Sequence, residues 1–126
     1  MIPGSEGGGH PSFVQSFRYA IEGFCTAVRT ERNLKVMLVI GAATIVAGFI
    51  VGFDYLSWCI VLICCGLVIH AELANTALEA VVDLASPEIH PLAKRAKDIA
   101  AASVIVLSAM AAVIGIILFA HALGLL

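Results

Sequence analysis

Polar and apolar positions follow two different rhythms along this chain. Three stretches carry no Asp, Glu, Lys or Arg: residues 36–53, 55–71 and 99–126, of 18, 17 and 28 residues. A helix crossing a hydrocarbon core needs about 20 residues, with a range of about 17–25. Each stretch therefore predicts a spanning helix, the second extended through its polar flank. A closed β-barrel, the other spanning solution, would need apolar and polar residues to alternate. Val104-Ile-Val-Leu and Ile114-Gly-Ile-Ile-Leu-Phe do not alternate. Upstream the rhythm is that of a surface helix. Phe13, Phe17, Ala20, Ile21, Phe24 and Val28 recur at steps of three and four, with Gln15, Arg18, Tyr19, Glu22, Thr26 and Arg29 between them. This predicts an amphipathic helix over 12–33, capped by Ser12. Three aromatics on one face and Arg on the other suit a membrane interface; packing against protein is the other use of such a face. Residues 1–11 are Gly-, Pro- and Ser-rich and are expected to form a flexible tail. They lack the basic region and apolar core of a signal peptide. The resulting division is a tail over 1–11, an interfacial helix over 12–33 and a three-helix transmembrane domain over 34–126.

Composition sharpens this all-α membrane reading. The chain has 126 residues, 61% of them hydrophobic and 13% charged. An ordinary soluble domain is about 45–50% apolar and about a quarter charged, so a small soluble monomer is excluded. The net charge of −2 gives no reason to expect nucleic acid. Orientation follows from Lys and Arg, which gather on the cytoplasmic side. Arg18, Arg29, Arg32 and Lys35 precede the first span, and Lys94, Arg95 and Lys97 lie between the second and third. The N-terminus and the second link are thus expected in the cytoplasm, with Asp54 the single acid left outside. Cys25, Cys59, Cys64 and Cys65 have no metal-ligand spacing with histidines and read as small apolar packing residues. His70 is off the acidic face and His121 sits near the outer end; neither reads as catalytic.

One segment does not fit lipid. Glu72, Asn75, Thr76, Glu79 and Asp83 fall on one face of a continuous helix at 3.6 residues per turn, opposite Ala, Leu and Val. The stripe continues the second span, so Glu72 belongs at the membrane boundary or inside it. A single acid at the centre of a span costs about 2.5–3.5 kcal/mol on insertion scales, and like charges add repulsion. A helix merely emerging into water would explain Asp83 but not Glu72. Carboxylates with an amide oxygen are hard ligands suited to Mg²⁺. Lys94, Lys97 and Asp98 form a second cluster, read as sharing a helix face, and lysines beside acids suggest a phosphate site. The same lysines also satisfy the positive-inside rule. Thr30-Glu31-Arg32-Asn33 is a third contributor. Neither standard Gly-rich phosphate loop is present.

Glu72-Leu-Ala-Asn-Thr-Ala-Leu-Glu-Ala-Val-Val-Asp83, followed by Ala96-Lys-Asp98, resembles the signature of the small prokaryotic integral-membrane diacylglycerol kinase family, which includes the undecaprenol kinases. The resemblance extends over about residues 12–120 and takes in Phe17-Arg-Tyr-Ala-Ile-Glu-Gly23. It implies an ATP-dependent lipid kinase of the bacterial inner (plasma) membrane, and a homotrimer with sites between subunits. It assigns Glu72 as general base toward the lipid hydroxyl, and Glu31 and Glu79 as ligands of Mg²⁺ on the ATP phosphates. Lys97 would contact phosphate; Asp98, Tyr19, Glu88 and His90 would line the nucleotide; Asn75 and Asp83 would support them. Ser12 stands where some relatives have a basic residue, and Ile89 where some have an aromatic. Thr30-Glu-Arg-Asn33 and the segment from His90 to Asp98 look like the undecaprenol kinase branch. Diacylglycerol is the alternative acceptor. A cation- or proton-conducting oligomer is the alternative of another class, disfavoured because the third span has no acid beyond Asp98. An inactive structural subunit would not need the full acid set.

Overall fold

In a computed structural model that describes residues 12–126, the chain is entirely helical, with four elements in the order α1 (Phe13–Thr30), α2 (Arg32–Val51), α3 (Tyr55–Ala85) and α4 (Pro91–Ala122). The expected tail over 1–11 lies outside the described residues. Three helices, α2, α3 and α4, are long and apolar enough to cross a membrane. No strand occurs among the described residues, in line with the absence of alternation.

Ser12 does cap α1. Its hydroxyl accepts from the Gln15 amide while the Gln15 side chain accepts from the Ser12 amide, a reciprocal pair that satisfies two otherwise unpartnered groups. Ala27, near the end of α1, is buried, but the large apolar side chains before it are not: Phe13 is 94% exposed, and Phe17, Ile21 and Phe24 are exposed as well. The helix ends earlier than its periodicity predicts. Glu31 takes an extended backbone (φ −105°, ψ 112°), closing α1 and opening α2, so Arg32 belongs to the next helix. Lys35 secures this break by donating its ammonium to the carbonyl of Arg29 at 3.2 Å, satisfying an end-of-helix acceptor.

The turn between α2 and α3 is only three residues long. Gly52 supplies the left-handed conformation (φ 75°) that ends α2. Asp54 then caps α3, accepting from the Ser57 amide at 2.8 Å. Between them Phe53 turns inward to a cluster with Val61 and Leu118, flanked by Trp58, Cys65, Ile114 and Phe119. Its ring centroid lies 4.8 Å from Phe119 and 5.4 Å edge-on from Trp58. The backbone of Gly48 abuts these rings, leaving no room for a side chain.

Helices α3 and α4 form the most extensively packed pair, an antiparallel hairpin joined by residues 86–90. Inward positions of α4 include Val104, Ser108, Ala111, Gly115 and Leu118, at steps of four and three. That spacing is the seam of a left-handed pair. The 31 residues of α3 rise about 46 Å, against about 30 Å of hydrocarbon. With Tyr55 set at one edge of such a slab and the helix upright, about ten residues at the charged C-terminal end would stand beyond it and Glu72 would fall just inside the other edge. His90 caps α4, its Nδ1 accepting from the Leu92 amide at 3.1 Å, and Pro91 occupies the first turn, where its missing amide costs nothing. The four cysteines are free, Cys64 and Cys65 partly buried and Cys25 and Cys59 exposed. His70 is exposed, turned away from the acidic stripe.

Candidate active site

The acidic stripe of α3 does not face open water where it matters most. Glu72 is 2% exposed and, with Leu34, is among the most completely buried side chains of the described residues. Periodicity explains this. Ala71, Glu72, Asn75, Thr76 and Glu79 occupy the inner seam of α3, while Asp83, lower on the stripe, is exposed. The same face that packs against α4 in the membrane carries the carboxylates as the hairpin leaves it.

The charges of Glu31 and Glu79 both act on Glu72. Glu31 reaches this neighbourhood because the break between α1 and α2 places it at the head of α2, one turn before buried Leu34. Asn75 donates from Nδ2 to Glu79 Oε1 at 3.3 Å, which steadies that carboxylate. The other end of the Asn75 amide, Oδ1, is buried without a partner, as are Thr76 Oγ1 and Ser108 Oγ on α4. Among the described residues, no three His, Cys, Asp or Glu side chains form a cluster able to hold a metal by themselves.

Two cation pairs divide the basic cluster differently from the sequence expectation, one bordering the acids and one standing apart from them. Lys97 crosses to α3 and donates to Asp83, with the charge of Glu79 acting on it too. Lys94 instead pairs with Asp98 one turn along its own helix. Lys97 thus does not share a face with Lys94 and Asp98: adjacent residues on a helix point about 100° apart, and packing turns Lys97 inward. Lys94, Arg95 and Asp98 line an open groove of about 360 Å³ with Pro91, Ile99 and Ala102, on the outer side of α4.

Of the residues singled out in the sequence, Glu31, Glu72, Asn75, Glu79, Asp83 and Lys97 come together around one end of the α3–α4 hairpin. Asp98 stands in the separate groove. Tyr19 is half-buried on α1, and Glu88 and His90 lie exposed in and beside the link between α3 and α4. Among the described residues, no hydrogen bond or ion pair joins Tyr19, Glu88 or His90 to the acids. Ser12 and Ile89, where the pattern departs from relatives, are a helix cap and a fully exposed side chain. Sequence reasoning passed over Ser108. Its only signal is a hydroxyl on the inward seam of the third span, and that seam is legible only once α4 is seen to pair with α3.

Comparison with known proteins places this arrangement. The prokaryotic diacylglycerol kinase family matches residues 18–119. The undecaprenol kinase of Bacillus subtilis is 38% identical over 107 residues, covering 85% of this chain and 87% of that protein. A diacylglycerol kinase of Synechocystis is 42% identical over 105 residues, 82% of this chain and 59% of its own length. A diacylglycerol kinase of Helicobacter pylori is 33% identical over 85 residues, 68% of this chain and 66% of that protein.

Proposed function

This chain belongs to the prokaryotic diacylglycerol kinase family and is a lipid kinase, and from that premise we propose that it phosphorylates undecaprenol with ATP to give undecaprenyl phosphate. The observation that carries the choice of lipid is the nearly end-to-end match to an undecaprenol kinase. The segments 30–33 and 90–98, on either side of the acids, point to the same branch. Diacylglycerol is the competing acceptor, since several relatives are named for it.

The burial of Glu72 supports a mechanism. An alcohol at headgroup depth must lose a proton as its oxygen attacks phosphorus, and water is scarce there. Glu72 lies near that depth and is shielded from solvent, which suits a base acting on an alcohol held at the membrane edge. The O–H bond breaks toward the Glu72 carboxylate while the oxygen bonds to the γ-phosphorus, and the bond to the ADP oxygen breaks. Phosphoryl transfer otherwise needs positioning and charge neutralisation. Glu31 and Glu79 fit Mg²⁺ as two carboxylates that would share it with ATP phosphates and water, the ordinary surroundings of that ion. Its chemistry would be to neutralise the phosphates. Lys97, held by Asp83, meets phosphate, and Asn75 steadies Glu79.

Tyr19, Glu88, His90 and Asp98 line the nucleotide in this reading, and a homotrimer brings them to it. The outward groove holding Asp98 supports that assembly, because it presents a basic and acidic surface away from the acids of its own chain. The exposed aromatics of α1 suit a helix lying in the membrane interface, with the N-terminus and the link between α3 and α4 in the cytoplasm of a bacterium, at its inner membrane.

The test is transfer of radiolabelled phosphate from MgATP by purified protein in vesicles, offered undecaprenol or diacylglycerol in turn. Undecaprenol should give the higher kcat/KM. Preference for diacylglycerol overturns the choice of lipid, and ion flux without transfer to either lipid would favour the conducting oligomer.

A further inference from the structure

Ser108 carries a buried hydroxyl that the mechanism above does not use. Three other hydroxyls among the described residues are satisfied by the helix they stand on, and Thr76 Oγ1, on the acidic stripe of α3, shares the unpartnered state of Ser108. Thr44 donates to the carbonyl of Ile40 at 2.8 Å, Thr30 to that of Thr26 at 2.9 Å, and Ser103 to that of Ala100 at 2.7 Å. Such back-bonding is the usual fate of a hydroxyl where water is scarce. Ser108 Oγ makes no such bond and is closed off from solvent.

What it faces follows from the register of the hairpin. Lys97 pairs with Asp83 at one end, and Val61 and Leu118 meet in one cluster at the other. From Asp83 back to Val61 is 22 residues, and from Lys97 on to Leu118 is 21. The helices therefore stay in step along their whole contact. Ser108 lies 11 residues after Lys97, and Glu72 lies 11 residues before Asp83. Eleven residues complete three turns to within about 20°. The juxtaposition that pairs Lys97 with Asp83 is thus repeated three turns deeper, by Ser108 opposite Glu72, both buried.

We infer that Ser108 is a positioning residue, its hydroxyl donating to one oxygen of Glu72 in the reacting complex and leaving the other free for the proton of the lipid alcohol. The Ser108 proton stays on its oxygen throughout. The inference rests on Glu72 as the base. It identifies a contributor to turnover in the third span, where the acidic motif has no counterpart.

The experiment measures turnover and KM for MgATP in vesicles containing undecaprenol, and in a second set containing diacylglycerol, for S108A, S108T and the Glu72 variants. With the better acceptor, S108A should lose about 10- to 100-fold in kcat, the range for a hydrogen bond to a charged group. Its KM for MgATP should stay within twofold. S108T, which keeps the hydroxyl, should restore most of the turnover. In the Glu72→Asp background, whose shorter carboxylate is drawn back from α4, S108A should cost little more. Resistance of S108A to thermal unfolding should match or exceed that of the unaltered protein, because an unpartnered buried hydroxyl is removed. Undiminished kcat in S108A overturns the inference, as do equal losses in S108A and S108T or fully additive losses with Glu72→Asp. The base assignment is read separately: near-normal turnover in Glu72→Gln removes it and this inference together, whereas loss in Glu72→Gln with an inert S108A removes this inference alone.

Discussion

A methyl group at position 48 is the sharpest probe of how the two ends of this molecule divide their work. A Cβ on Gly48 would stand 2.7 Å from Cδ2 and 2.9 Å from Cε2 of Phe53, and 2.9 Å from Cη2 of Trp58. For an ordinary contact of 3.4 Å the Phe53 ring must withdraw by about 0.7 Å. It has little room to do so. Phe53 is 8% exposed and packed on Phe119 and Trp58, while Trp58 is also held by Phe49 at 4.6 Å. Overpacking of this kind costs about 1–3 kcal/mol, and the gain in helix propensity from Gly to Ala is about 1 kcal/mol. G48A should therefore lose about 1 kcal/mol net, seen as an earlier midpoint when SDS is titrated into micelles and unfolding is followed by circular dichroism. Turnover per folded molecule should stay within about twofold, because 14 residues of α3, about 21 Å, separate Trp58 from Glu72. Shortening the clashing ring with F53L should make the double variant less destabilised than the two single losses added, by about 0.5 kcal/mol or more. A G48A protein as stable as the unaltered one, or a double variant with strictly additive losses, would refute the close packing of this turn.

Removing the negative charge at Glu72 with E72Q should lower kcat by about 10²–10⁴, the usual contribution of a general base, while MgATP binding measured by calorimetry stays largely intact; intact turnover would end that assignment. E79Q should shift the Mg²⁺ dependence of turnover to higher metal concentration, with partial rescue by excess metal, and an unchanged metal titration would exclude Glu79 as a ligand. Exchanging the partners in a D83K/K97D protein should preserve the hairpin, judged by thermal unfolding, but not phosphoryl transfer, because the cation would then sit on the wrong helix; normal activity would mean that Lys97 does not meet phosphate. The backbone amide of Ser57, with further help from its side chain and from His121, holds the Asp54 carboxyl below the usual carboxylate range. A group so depressed stabilises the fold fully above its unfolded value, and that contribution fades as pH falls through the folded one. The difference in unfolding midpoint between the unaltered protein and D54A should thus be clear at pH 7 and shrink toward pH 3. A difference independent of pH would mean that the ionised cap is not what matters.

Much of this arrangement is legible in the residues alone, and the parts that are not have a common cause. Three apolar stretches announce α2, α3 and α4, since burial in lipid demands an unbroken run. The acidic stripe of α3 is equally plain, being a matter of spacing within one helix. The end of α1 is not. Periodicity continues past Thr30, and only the extended backbone at Glu31 separates the two helices. The partner of Lys97 also escapes a linear reading. On its own helix it stands close to Lys94 and Asp98, but the register of the hairpin turns it to Asp83. Ser108 is hidden for the same reason: the register sets it opposite a residue 36 positions away in sequence, and local pattern carries no information about pairings across a hairpin.

The length of α3 makes the host bilayer a component of the enzyme. From the capped turn at Asp54 to the first buried carboxylate the helix is one uninterrupted rod, so Glu72 sits at a set height above the opposite membrane face. A thicker or thinner hydrocarbon slab cannot change that height; it shifts where headgroups lie relative to the carboxylate, or tilts the rod. Acyl-chain length of the surrounding lipids thus becomes a tuning variable for catalysis, acting on no residue in particular. On the reading that Glu72 is the base, the helix acts as a gauge block, and turnover should depend on the thickness of the membrane around it.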